Sequence, residues 1–102
     1  MSAYNILNTV LECPRCGNMA DMEIELYTGK RNQTRYLIGD IYTWEDRRQP
    51  QNGGRPKDGS CLADGYVECP ICHRDFWVSV AITDDRIASV SVNLSREPFI
   101  PD

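Results

Sequence analysis

Apolar and charged residues alternate along Met22-Glu23-Ile24-Glu25-Leu26, the two-residue period of a strand with one buried and one wet face. The same period places Phe76, Val78, Val80 and Ile82 on one side of a second strand, 76–82. Asp84-Asp85 then marks a turn, and 87–94 reads as the strand that returns. After the first strand, Thr28-Gly29-Lys30-Arg31-Asn32-Gln33 is rich in turn formers, so 34–38 reads as its returning partner, ended by Gly39-Asp40. Short stretches at 8–12 and 66–68 lead in as further strands. No window carries a 3.6-residue period, so helix is expected to be scarce and the chain mostly β. The pattern divides into two similar halves.

Each half opens on the same chemistry. Cys13-Pro14-Arg15-Cys16 and Cys69-Pro70-Ile71-Cys72 are two Cys-Pro-X-Cys pairs, and two residues between cysteines let both sulfurs face one point across a tight turn. Two such turns supply the four thiolates of one tetrahedral metal site, for which Zn²⁺ is the usual occupant. Proline presets φ for the turn, and Gly17 can take the left-handed conformation that leads the chain away. Backbone N–H groups then point at the sulfurs. His73 stands where the second turn needs that same conformation, which histidine tolerates better than most residues.

These two turns resemble the zinc knuckles of the zinc-ribbon and rubredoxin-like group, in which each knuckle sits at the tip of a β-hairpin. The resemblance implies Cys13, Cys16, Cys69 and Cys72 as ligands, with His73 a departure from the usual glycine. It implies a zinc-ribbon-like pair of β-hairpins, each associated with a metal knuckle. It also implies a structural Zn²⁺, with Fe as the lesser alternative. The length reads as a single domain over 1–102, and the long gap from Cys16 to Cys69, with its glycine, proline and charge, reads as a long irregular central insertion at about 43–64.

Composition sets the remaining bounds. With 102 residues the chain has room for an adequate core but not a generous one, so a metal staple is useful. No segment approaches the ~18 apolar residues of a membrane span, and the first residues lack the basic flank and apolar stretch of a secretory signal. Five cysteines without such a signal suit a reducing compartment, where paired thiols bind metal rather than each other, and a cytoplasmic location is expected. The odd cysteine, Cys61, has no charged neighbour that would lower its pKa and reads as an ordinary free thiol. His73, the single histidine, reads as a turn residue, because four thiolates already fill a tetrahedron.

The insertion combines Trp44, Arg47 and Arg48 with a Gly- and Pro-rich run at 50–59. It is either a mobile solvated loop or a binding element, since Trp and Arg are enriched at interface hot spots. Residues 30–57 hold seven basic and three acidic side chains, against four basic and twelve acidic elsewhere, within a net charge of −4. Most of the surface should therefore repel nucleic acid, and the basic insertion lacks the aromatic run that would stack bases. An acidic surface is better suited to a basic protein partner.

Three function classes follow. The first is a non-enzymatic, zinc-stabilised protein-binding module that uses Trp44, Arg47 and Arg48 or the acidic Glu23 and Glu25. In size and charge it is analogous to the immunity proteins and antitoxins that neutralise bacterial toxins. The second is a nucleic-acid or transcription accessory ribbon, and the third a rubredoxin-like electron carrier. An enzyme is not expected: a catalytic zinc needs an open position, and no phosphate loop, deaminase signature or nucleophile elbow is present.

Overall fold

A computed structural model describes residues 4–45 and 47–98. Six strands form one sheet: β1 (Asn5–Glu12), β2 (Met19–Leu26), β3 (Arg35–Leu37), β4 (Cys61–Glu68), β5 (Asp75–Thr83) and β6 (Arg86–Asn93), in the order β3-β1-β2-β4-β5-β6. Among the described residues, helix is confined to two single turns, Pro50–Asn52 and Lys57–Gly59. The mostly β architecture is as the alternation predicts.

The alternating side chains fill one face. Leu7, Met22, Ile24, Leu26, Ala63, Val67, Phe76, Val78, Val80 and Ile82 are all buried, while Glu23, Glu25 and Glu68 lie on the opposite side of their strands. Ile87 would be out of phase with Val90 and Val92. The register, however, skips Ala88 between Ile82↔Ile87 and Ala81↔Ser89, a bulge that returns all three apolar residues to the core. At the sheet centre Gly65 is mandatory, because a Cβ there would lie 2.5 Å from the Ile24 side chain and 2.8 Å from that of Val78.

A six-stranded sheet with one apolar face must cover that face, and here it curls until its edges meet. The chain leaving β3 reaches β6, where Gly39 N–H donates to Ile87 O (2.7 Å) and Ile87 N–H to Asp40 O (3.0 Å). Tyr36 and Tyr42 close the interior beside this seam, their ring centroids 4.8 Å apart.

Two expectations need correction, and a third is narrowed. Segment 34–38 does not return along β2. Only 35–37 is strand, and it pairs in parallel with β1 (Ile6↔Arg35, Leu7↔Tyr36, Asn8↔Leu37). The reason is that β4 occupies the free edge of β2, through Ile24↔Val67, Glu25↔Tyr66 and Leu26↔Gly65. Buried Asn5 fixes the crossover, donating to Lys30 O and Tyr42 Oη while its Oδ1 accepts from the N–H groups of Asn32 and Thr34. Second, the strand entering the second knuckle begins at Cys61, not Tyr66, so the irregular segment ends before it. Third, of the two alternatives for that segment, a mobile solvated loop or a binding element, its backbone hydrogen bonds weigh against the first. Within it Glu45 N–H donates to Gly53 O (2.8 Å) and Gly54 N–H to Gln49 O (2.9 Å), and Asp85 N–H, donating to Gly59 O (2.9 Å), ties it to the β5–β6 turn; Asp46 lies outside the described residues.

Candidate metal centre

Both Cys-Pro-X-Cys turns sit at hairpin tips: the first joins β1 to β2, the second β4 to β5. Because β2 and β4 are antiparallel neighbours, the two tips lie at the same end of the sheet. The turns repeat one another bond for bond. Cys13 N–H donates to Asn18 O (3.0 Å) and Cys69 N–H to Arg74 O (2.9 Å), while Gly17 N–H donates to Cys13 O (2.8 Å) and His73 N–H to Cys69 O (2.9 Å). Gly17 has φ +77° and His73 φ +60°, so histidine fills the left-handed slot of the second turn.

The four sulfurs converge. Cys13 Sγ lies 3.8 Å from Cys72 Sγ, Cys16 Sγ lies 3.8 Å from Cys69 Sγ, and all four fall within 4.8 Å of one another. A regular tetrahedron with metal–sulfur distances of ~2.3 Å has edges of ~3.8 Å, so the spacing fits a tetrathiolate metal site. The four cysteines can hold a metal ion, with ligands drawn from segments 53 and 59 residues apart.

The surroundings suit anionic sulfur. Arg15 N–H points at Cys13 Sγ (3.3 Å), Ile71 N–H at Cys69 Sγ (3.4 Å) and Asn18 Nδ2 at Cys16 Sγ (3.5 Å). Burial pushes the Cys13 thiol up to about 12 against the opposing pull of the Arg15 N–H. The more open Cys16 is lowered to about 7, chiefly by the backbone N–H of Asn18. A cation at the centre favours the thiolate at every position, which is the condition for binding it.

No family model, curated protein or solved structure matches the chain. The likeness to zinc ribbons therefore rests on the two knuckles and their hairpins. Among the described residues, no helix is long and apolar enough to cross a membrane.

The other candidate residues scatter. Trp44 is half-buried, edge-on to Tyr42 (centroids 5.0 Å), and its Nε1 donates to Asp85 Oδ1 at 2.8 Å. Arg55 grips the same carboxylate with Nε at 2.9 Å and Nη2 at 3.0 Å, which holds Asp85 below the usual carboxylate range. Trp44 thus anchors the irregular segment to the β5–β6 turn, while Arg47 and Arg48 are exposed. Glu23 pairs with Arg35 at 3.1 Å, and Glu25 accepts from Tyr27 Oη at 2.9 Å. Cys61 is half-buried in β4 away from the cluster, and burial raises its pKa.

Sequence reasoning missed the side chains that brace the centre. Arg15, inside the first knuckle, reaches buried Asp75, the first residue of β5, whose Oδ2 also accepts from Tyr66 Oη at 2.7 Å. An arginine within a knuckle and an aspartate shortly after the other carry no periodic signal. Only the hairpin pairing brings them together.

Proposed function

We propose that this chain is a non-enzymatic, zinc-stabilised protein-binding module. The convergence of four thiolates on one point carries the reading. A Cys₄ tetrahedron leaves no coordination position for a substrate, so the ion acts as a structural clamp on two hairpins. The acidic outer face of β2 and the neighbouring β4 supports a protein partner over nucleic acid, and the anchoring of Trp44 shifts the weight from the irregular segment to Glu23 and Glu25. Neutralising a partner in the manner of a bacterial immunity protein is the narrower form of this function, supported by size and net charge.

The test is capture of a partner on immobilised zinc-loaded protein after nuclease treatment, with and without chelation. Retention of one protein, lost when zinc is removed, is the expected result. Recovery of nucleic acid alone, with steep salt dependence, would favour the accessory role instead. The N–H···S bonds of the knuckles also suit an iron tetrathiolate. A red, iron-loaded protein with reversible reduction would therefore favour the electron carrier.

A further inference from the structure

The joint between the two hairpins is short. β2 and β4 share only the pairs Ile24↔Val67, Glu25↔Tyr66 and Leu26↔Gly65, although β2 extends five residues further towards the knuckles. One more step of that register would set Glu23 opposite Glu68, and like charges directly opposed destabilise a pair. One residue beyond, the β4 chain enters its knuckle at Cys69. The stretch 19–23 therefore keeps β1 on one side and, among the described residues, has no strand on the other.

That open edge borders a cleft of ≈ 450 Å³ between the hairpins. Asp21, Glu23, Glu25 and Glu68 line it, with Tyr66 and His73. Arg35 offsets Glu23, but the carboxylates of Asp21 and Glu68 have no hydrogen-bond or ion-pair partner among the described residues. Asp21, Glu23 and Glu25 lie at alternate positions on one face of β2, ~7 Å apart.

From this edge and its charge we infer that the cleft binds an extended basic segment of a partner protein as an added strand along 19–23. Backbone pairing supplies the attachment, and Lys or Arg at alternate positions meets the carboxylates at the same ~7 Å repeat. A second copy of this chain is a poor occupant, because its own edge carries the same carboxylates. A basic strand is complementary in both backbone and charge. The inference rests on the protein-binding reading and names its surface and the partner's chemistry.

The experiment uses zinc-loaded protein and two fluorescent peptides of identical composition, one alternating Lys with Val or Thr, the other with its lysines in a block. Anisotropy should show the alternating peptide binding at least tenfold more tightly at low salt. The amide resonances of 19–23 should shift on its addition. Asp21→Lys and Glu68→Lys, checked for unchanged zinc content and melting temperature, should each weaken it about tenfold. Equal binding of both peptides, or unshifted 19–23 amides, overturns the inference. Those results leave the wider function intact if a captured protein partner binds the Asp21→Lys variant as it binds wild type. If no protein partner is retained while the alternating peptide binds, the cleft stands and the wider reading fails.

Discussion

Arg15 Nη1 donates to the backbone carbonyl of Asp75 at 3.0 Å and lies 3.6 Å from its carboxylate, so the first knuckle grips the strand that leaves the second. Asp75 is fully buried and the Arg15 side chain nearly so, which makes this a second clasp beside the cysteine cluster. Removing one partner of a buried pair costs more than the pair contributes, because a charge stays behind with one cation fewer. Arg15→Ala should therefore lower unfolding free energy by about 3 kcal/mol in urea titration while the metal content stays at wild-type level. Adding Asp75→Asn to that variant should recover part of the loss, since the buried charge is then gone. A double variant less stable than Arg15→Ala alone would show that the carboxylate has other support.

The matched knuckles permit a reciprocal test at Gly17 and His73. Both occupy the left-handed region, and a Cβ on Gly17 would meet nothing within 4 Å, so any cost there is backbone strain alone. Gly17→Ala should destabilise by about 1 kcal/mol, and His73→Gly should stabilise by about 0.5–1 kcal/mol. Denaturant midpoints with unchanged slopes would measure both. A His73→Gly protein that loses stability would mean that the ring contributes more than the turn costs it.

β2 and β5 were legible because Met22, Ile24 and Leu26 in one, and Phe76, Val78, Val80 and Ile82 in the other, fill a buried face at every second position, although β5 also buries Asp75 and Trp77 on its other side. The cluster of four cysteines was legible because the two-residue spacing already turns each pair of sulfurs towards one point. What escaped depends on competition between distant segments. β3 pairs with β1 because β4 has taken the edge of β2, and nothing local to 34–38 encodes that. The bulge at Ala88 left a trace, the odd spacing from Ile87 to Val90, but only a register against β5 turns that spacing into structure. Asp85 read as a turn former. Its φ of +67° agrees, yet its carboxylate also organises Trp44 and Arg55, which lie thirty and more residues earlier.

The anchoring of Trp44 changes what its substitution reports. Trp44→Ala removes the edge-on contact with Tyr42 and the indole donor to Asp85, so it should cost about 2–3 kcal/mol. Reduced partner binding by that variant would reflect a disturbed segment. Arg48→Glu, which alters an exposed side chain, separates the two effects. It should leave the melting temperature within a degree or two and change partner affinity only if the segment touches the partner.

Asp85 also predicts a pH dependence. Arg55 first, and then the Trp44 indole, hold its carboxyl below the ordinary value of 3.8. A depressed folded pKa gives stability that is complete above the unfolded pKa and is lost as pH falls through the folded one. The stability difference between wild type and Asp85→Asn should therefore be constant above about pH 5 and shrink below about pH 4. Metal release in acid is common to both proteins and drops out of the difference. A gap that stayed constant down to pH 2 would show that the neutral side chain makes the same contacts.

The metal is the last and most severe test. Without it the hairpins share three β2–β4 residue pairs, the Arg15–Asp75 clasp and one core, and four buried or half-buried thiols face one another with no cation. Structural zinc contributes about 10–16 kcal/mol of apparent binding free energy in small zinc-finger peptides, comparable with the whole net stability of a domain. Cys72→Ser should abolish stoichiometric metal in elemental analysis and lower the melting temperature by well over 10 °C, since about 1 kcal/mol moves a domain of this size by 4–8 °C. Cys61→Ser, in the same strand as Tyr66 but outside the cluster, should keep one metal per chain and shift melting only slightly. If Cys72→Ser melted within a few degrees of wild type, the sheet and the Arg15–Asp75 clasp alone would hold the hairpins together, and the role of the ion would have to lie elsewhere than in stability.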